Sequence, residues 1–173
     1  MAEHEIIVRI ADVMEAMANG IQVRAEYDEG EVGGALQILR SFGDDFHQAK
    51  EEGALFPVFT NVCDVSQQTA IRHMLLEHEQ DRSLMTGMQD AISRSNAAQV
   101  AEYLLRLANT LRNHVSRENN ILFEAISEQL NDEDDAKVIA EFESFDREFE
   151  TQKAELLRRL RLLEWKYSQK TTS

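Results

Sequence analysis

The sequence predicts an all-α protein, an up-down bundle of four helices with an additional C-terminal helix. Apolar residues recur at steps of three and four along five segments, which is the pattern of amphipathic helices. One proline and seven glycines among 173 residues are too few for the turns of a β-sandwich or barrel. The length suits a single domain, 1–173, with the bundle over about 3–130 and the additional helix over about 132–169.

The composition excludes several classes of function. There are 18 basic and 32 acidic residues, a net charge of −14, which argues against a nucleic-acid partner because phosphate binding depends on Lys and Arg. No apolar run approaches the roughly 20 residues that cross a bilayer, and the start, with Glu3 and Glu5, is unlike a secretory signal. A single cysteine, Cys63, cannot build a disulfide framework. We therefore expect a soluble, cytoplasmic protein without a membrane or nucleic-acid partner.

The first helix is predicted from about residue 4 to 27 and the second from about 35 to 52. The acidic, glycine-rich stretch 28–34 breaks the apolar pattern and indicates a connection. Pro57 argues against continuation of the second helix past Phe56, so 57–65 is predicted to be a loop.

The third helix is predicted to begin near Ser66, an N-cap residue, and to end within 93–96. The fourth, from 97 to about 130, has the most regular pattern, with steps of four and three that suit packing inside a bundle. Its predicted inward positions are Val100, Leu104, Leu107, Leu111, His114, Glu118, Ile121 and Ala125.

The fifth helix begins in the acidic cluster 131–135, where carboxylates favour a helix N-terminus. Its predicted inward face contains Val138, Phe142, Phe145, Phe149, Leu156, Leu160 and Leu163. The charge changes from acidic over 131–150 to basic over 151–173. A solvated helix whose charges complement its dipole explains this change; a surface for a protein partner or for self-association is the alternative.

The histidines fall on the buried stripes. Four of the five lie one per helix on the first four helices: His4, His47, His78 and His114. His47 and His114 are each followed four residues later by a glutamate, Glu51 and Glu118. This spacing projects each histidine and its glutamate from the same helix face.

Ionisable groups in a bundle core are unfavourable unless they are paired or bound to metal. A single His–Glu pair would be explained by a hydrogen bond in the core. Two pairs, with two further histidines on the remaining helices, favour a dinuclear metal site bridged by carboxylates. Mixed nitrogen and carboxylate ligation suits iron, while residue types alone leave zinc and manganese open. A metal-free helical scaffold is the remaining alternative.

Four sequence blocks resemble the hemerythrin-like (HHE cation-binding) domain family. They are EHEII at 3–7, FHQAKEEGALFP at 46–57, EHEQDR at 77–82 and HVSRENNILF at 114–123. The second is similar to the family's His-x-x-Lys-Glu-Glu-x-x-Leu-Phe-Pro block, and the last to its His-x-x-x-Glu block. Each block is weak alone, but together they fall in order on all four bundle helices.

The resemblance implies a non-haem centre of two iron ions. One ion would be held by His4 and His47 and the other by His78 and His114. Glu51 and Glu118 would bridge the ions, together with an oxo or hydroxo ligand.

The sequence departs from the oxygen-carrying hemerythrins, which have His-x-x-x-His on the third helix and His-x-x-x-x-Asp on the fourth. Here His73 precedes His78 by five residues, which places the two rings about 140° apart on the helix. The pattern therefore resembles the four-histidine, two-glutamate branch, which includes iron- and oxygen-sensing F-box relatives. We interpret His73 as a surface residue, with an additional ligand as the alternative. Glu52 and Glu77 either orient ligands by hydrogen bonds or are simply exposed.

With two histidines per ion, open positions remain for oxygen, nitric oxide or peroxide. We therefore predict a centre that binds or reacts with such a small oxidant. Turnover of peroxide or nitric oxide would make the protein an enzyme. The alternative is a non-catalytic iron or oxygen sensor that signals through the ordering of a helix.

Overall fold

The computed structural model describes residues 2–168, and it confirms the all-α prediction. Three helices are single segments: α1 (Ala2–Arg24), α4 (Val65–Ser93) and α7 (Asp132–Ser168). The second bundle helix is continuous from 29 to 60 and consists of α2 (Glu29–Ile38), π1 (Leu39–Gln48), π2 (Glu51–Leu55) and α3 (Phe56–Thr60). The fourth consists of α5 (Ala97–Arg117), π3 (Glu118–Leu122) and α6 (Phe123–Gln129).

Short connections at 25–28, 61–64 and 94–96 join the four bundle helices, as antiparallel neighbours require. Helix α5 packs along both α1 and α4, and α7 crosses the outside of the bundle against α1, α2 and the two π segments of the second helix. Within 2–168, no helix has the length and apolarity to cross a membrane.

Two predicted connections, 28–34 and 57–65, are wrong in their extent, because helix occupies 29–34 and 57–60. Asp28 caps α2, accepting a hydrogen bond from the Glu31 backbone N–H at 3.0 Å, so the helix begins at Glu29. Burial of Val32, Ala35 and Leu36 outweighs the low helix propensity of the glycines in this segment.

At the other end of the second helix, the predicted loop shrinks to 61–64. Pro57 lies in the first turn of α3, directly after π2, whose wide turn already interrupts the regular hydrogen bonding. The N-cap of α4 is Asp64 rather than Ser66: its carboxylate accepts from the Gln67 backbone N–H, and the Gln67 side chain accepts from the Asp64 N–H.

Three wide, π-helical turns interrupt the α-helical hydrogen bonding. The N–H of Phe56 donates to the carbonyl of Glu51, and that of Phe123 to the carbonyl of Glu118, five residues back instead of four. The side-chain amide of Asn120 donates to the Ser116 carbonyl at 2.7 Å, a bond that competes with the regular pattern just where π3 begins.

The wide turn π3 moves the inward stripe of the fourth helix by one residue. Ile121, predicted to point inward, is exposed, and Ala125 is only partly buried. Leu122 and Ile126 are buried instead. An additional residue in the turn explains the shift, because each later side chain is then displaced by one position around the helix.

The apolar core consists of a major and a minor cluster. The major cluster is built by α1, α2, π1, α5, α7 and the C-terminal half of α4. The minor cluster consists of Leu55, Phe56, Phe59, Ile71, Met74, Leu122, Ile126 and Val138. Between Met74 and Leu84 on α4, and between Val115 and Leu122 on the fourth helix, the buried residues are His78, Asp81 and Glu118. A buried polar layer therefore separates the two clusters.

Helix α7 is docked on the bundle through the inward face that its sequence predicts. Leu156 and Leu160 enter the major cluster and Val138 the minor one. The Phe149 ring stacks on Phe46 with 4.3 Å between centroids.

Candidate metal centre

The polar layer contains all six predicted site residues. They come from six helical segments: His4 from α1, His47 from π1, Glu51 from π2, His78 from α4, His114 from α5 and Glu118 from π3. All six side chains are buried. His73, by contrast, is an exposed residue of α4, in agreement with its interpretation as a surface histidine.

The six residues form two overlapping groups. One group is His4, His47, Glu51 and Glu118, and the other is Glu51, His78, His114 and Glu118. Within each group the candidate ligand atoms lie within 4.8 Å of one another. The two glutamates belong to both groups, so the centre has two positions that share two carboxylates and have two imidazoles each.

The Nε2 atoms of the histidines face the shared carboxylates. His4 Nε2 lies 3.0 Å and His114 Nε2 3.4 Å from Oε2 of Glu118. His47 Nε2 and His78 Nε2 each lie 3.5 Å from an oxygen of Glu51, on opposite sides of that carboxylate. The spacing of four residues from histidine to glutamate therefore brings both groups to the centre, even through the π turns.

Several of these atoms have no hydrogen-bond partner among the described residues. They are Nε2 of His4 and His47 and both carboxylate oxygens of Glu51 and Glu118. Leaving buried nitrogen and carboxylate oxygen atoms unpartnered is costly, because each has lost its water. Cations between them would remove this cost, and imidazole and carboxylate are ligands that iron accepts. The donor set therefore fits metal ions.

The other ring nitrogen of each histidine is already occupied. The Nδ1 atoms lie within hydrogen-bond distance of one acceptor each: Asn119 for His4 at 2.8 Å, Glu3 for His47 at 2.9 Å, Glu52 for His78 at 2.7 Å and Glu77 for His114 at 3.0 Å. A carboxylate only accepts, so Nδ1 carries the hydrogen in the three carboxylate pairs. Such partners fix the tautomer and leave Nε2 available for a metal.

The Nδ1 partners form a ring around the bundle, which we call the acceptor ring: Glu3, Glu52, Glu77 and Asn119. Each is adjacent in sequence to a site residue of its own helix but accepts a hydrogen bond from the histidine of the next helix. Asn119, on the fourth helix, pairs with His4 on α1, which completes the ring. The sequence pointed to Glu52 and Glu77 and missed the other two. Adjacency to a site residue is the signal that would have found them.

The three glutamates of the acceptor ring are each held by a cation. Lys50 donates to Glu3 at 2.7 Å and Arg82 to Glu52 at 2.7 Å. Arg117 lies 2.6 Å from Glu77. Although burial opposes its ionisation, the His47 and Lys50 partners hold the pKa of Glu3 at about 2.

Burial disfavours charge within the centre itself. It lowers the pKa of His47, and together with the neighbouring His114 it lowers the pKa of His78 to about 4. It raises the pKa of Glu51 well above its usual range, an effect that the Glu118 charge increases. Burial also opposes protonation of His114, but its bond to Glu77 and the Glu118 charge raise its pKa. The Nε2 atoms of His78 and His114 lie 3.3 Å apart, within hydrogen-bond distance of each other.

A cavity of about 270 Å³ reaches the centre from the side covered by α7. Its walls include His47 and Glu51, the apolar side chains of Leu55 and Phe123, and Phe142 from α7. Small molecules therefore have space beside one of the two positions.

A helical bundle with four histidines and two glutamates in its core defines a class of metal-binding proteins. The family model of the hemerythrin HHE cation binding domain matches residues 1–126, and the chain belongs to this family. The match ends before α7 begins. No curated protein and no solved structure matches the chain.

Proposed function

We propose that this protein holds two iron ions and binds or reacts with a small oxidant there: oxygen, peroxide or nitric oxide. His4 and His47 hold one ion, His78 and His114 the other, and Glu51 and Glu118 bridge them. The observation that carries the proposal is the set of unpartnered buried Nε2 and carboxylate atoms aimed at one another. Family membership favours iron over other cations.

The residues around the centre suit this role in separate ways. The acceptor ring holds the imidazoles in the orientation and tautomer that binding requires. The cavity beside His47 and Glu51 has room for a small molecule. Its walls combine apolar side chains with the charged side chains of Glu3, Lys50, Asp146 and Lys153. Iron, when bound, supplies the electrons and the open positions that a small oxidant needs.

Metal analysis of variants tests the ligand assignment. Protein produced with iron is expected to contain two ions per chain. Glu118→Ala removes a shared ligand and should lose most of the iron, whereas His47→Ala should lose at least the ion of its own position. His73→Ala is the matched control, because this histidine is exposed, and should keep the wild-type iron content. Fewer than about one ion per chain in the wild type, or iron loss only in His73→Ala, would falsify the assignment.

Absorption spectra recorded while oxygen, peroxide or nitric oxide is added to the loaded protein test the reactivity. A change in iron absorption together with steady consumption of one of these molecules supports an enzyme. Unchanged spectra with all three contradict oxidant binding, even if the iron is present.

A non-catalytic sensor is the second candidate, and one chain of contacts favours it. Asp146 of α7 accepts from Lys50 at 3.1 Å, Lys50 donates to Glu3 at 2.7 Å, and Glu3 accepts from His47 at 2.9 Å. Loss of the ion at His47 would therefore be transmitted to α7, outside the family match. Hydrogen exchange in α7 that slows on iron loading, without consumption of oxidant, would favour the sensor; exchange independent of iron would contradict it.

A further inference from the structure

We infer that the two metal positions differ in affinity, and that Asn119 sets the difference. The position of His78 and His114 fills first, and that of His4 and His47 is the exchangeable one. This inference rests on the proposed function, because it requires that both positions bind metal.

Asn119 is the one neutral member of the acceptor ring. His78 and His114 both donate Nδ1–H to carboxylates, Glu52 and Glu77, whereas His4 has the neutral amide oxygen of Asn119 at 2.8 Å. A carboxylate acceptor makes the imidazole a stronger donor to metal than a neutral amide does, since it stabilises the positive charge that develops on the ring. The His4 and His47 position therefore has one strengthened imidazole, and the other position has two.

The members of the acceptor ring also differ in whether a second side chain holds them in place. Arg82 and Arg117 fix Glu52 and Glu77, at 2.7 and 2.6 Å. Among the contacts of the described residues, the Asn119 side chain has only His4. An acceptor without a second partner is less well oriented, so it contributes less to the ordering of its histidine.

The two metal positions differ in their access from the cavity beside the centre. The cavity beside the centre is lined by His47 and Glu51 but by neither His78 nor His114. This access makes the ion at His4 and His47 the one that exchanges faster, but it does not by itself change the affinity. Loss of a hydrogen-bonding partner behind a ligand changes metal affinity about 10- to 100-fold, which sets the scale of the expected difference.

Sequential binding alone does not test the inference. The two positions share Glu51 and Glu118, so the ion that remains gains both carboxylates when the other leaves. Even two identical positions would then release their ions one after the other. The informative measurement is which position keeps its ion.

The experiment uses the full chain loaded with cobalt(II) and treated with a chelator until one ion per chain remains. Anomalous scattering from crystals of this half-loaded protein gives the occupancy of each position. We expect the His78 and His114 position to be favoured about 10- to 100-fold. Asn119→Asp should move the ratio towards equality by strengthening the His4 side, and Glu77→Gln should do so by weakening the other side.

Asn113→Asp is the matched control, because it makes the same chemical change at an exposed residue next to His114, whose Nδ1 is bonded to Glu77 instead. It should leave the occupancy ratio unchanged. Equal occupancies in the wild type, a preference for His4 and His47, or an unchanged ratio in Asn119→Asp overturn the inference. Fewer than two cobalt ions before the chelator is added contradicts the proposed function itself, and so separates the two failures.

Discussion

Lys50 places an ammonium group inside the protein, where lysine is found only when its charge is paired. Its side chain is 3% exposed, and Nζ donates to Glu3 and Asp146. The same atom lies 4.7 Å from the centroid of the Phe46 ring and 4.6 Å from that of Phe142. One cation thus joins α1, the second bundle helix and α7.

Lys50→Met is expected to lower the free energy of unfolding of the metal-free protein by about 1.5–3 kcal/mol, because Glu3 loses its charged donor. Urea unfolding measures the change. Lys137→Met removes an exposed lysine paired only with residues of its own helix, and it should have a much smaller effect. Equal effects of the two substitutions would show that burial of the Lys50 charge contributes nothing.

Asp81 is a second buried charge, and it predicts a dependence of stability on pH. Burial raises its pKa from 3.8 to about 6, although Thr110 donates to it at 2.7 Å. Between these two pH values the folded state binds more protons than the unfolded chain. The free energy of unfolding therefore falls, on account of this group, as pH rises from about 4 to 6.

Asp81→Asn should raise the free energy of unfolding of the metal-free protein at neutral pH by about 1–3 kcal/mol, since a shift of one pKa unit corresponds to about 1.4 kcal/mol. The gain should shrink as the pH approaches 4, where the wild-type carboxyl is neutral. Denaturant titrations over this pH range measure it, with Asp90→Asn, exposed on the same helix, as the control. A gain that does not vary with pH would contradict the assigned cause.

At the scale of single residues, the sequence indicates the histidines and glutamates of the centre more clearly than the acceptor ring around them. Histidines and glutamates on apolar stripes are visible as residue types, because burial of such groups requires a reason. Glu3 and Asn119 are marked only by adjacency to a site residue, and the sequence does not show which histidine each of them contacts, because that histidine lies on another helix. That pairing depends on how the helices are rotated against each other, which periodicity does not report.

Among the elements, the wide turns are what the sequence does not predict. Apolar periodicity assumes one angular step per residue, so a single π turn makes the later part of the pattern wrong, as Ile121 and Leu122 show. The sequence also does not predict that a helix begins at Glu29, because the glycines after it have low helix propensity. Burial of side chains against the bundle, rather than local propensity, stabilises the helix there.

The docking of α7 gives a prediction at the element scale. Leu160 is 1% exposed in the major cluster, and Leu162, two residues later, is 55% exposed. Leu160→Ala should lower the free energy of unfolding by about 2–5 kcal/mol and speed hydrogen exchange in α7, because it leaves a cavity under the helix. Leu162→Ala, the same change on the outer face, should stay within about 0.5 kcal/mol of the wild type. Equal effects at the two positions would contradict the docked arrangement.

For the molecule as a whole, the proposed iron centre predicts a dependence of the free energy of unfolding on metal. Iron that binds the folded bundle and not the unfolded chain raises the free energy of unfolding, by about 2.7 kcal/mol at 100 times the dissociation constant. Thermal unfolding with and without a chelator measures the shift. His73→Ala should keep the shift and Glu118→Ala, which removes a ligand shared by both positions, should lose it. Identical midpoints for loaded and stripped wild type would contradict the linkage.

The polar layer between the two apolar clusters affects how the molecule unfolds. Apolar contacts transmit cooperativity, and here they are interrupted where unpartnered carboxylates and imidazoles face one another. In a molecule without metal we therefore expect the smaller cluster, at α3 and α6, to open at a lower free energy than the larger one. Bound metal would connect the helices across the polar layer, so that the two clusters would unfold in one cooperative transition.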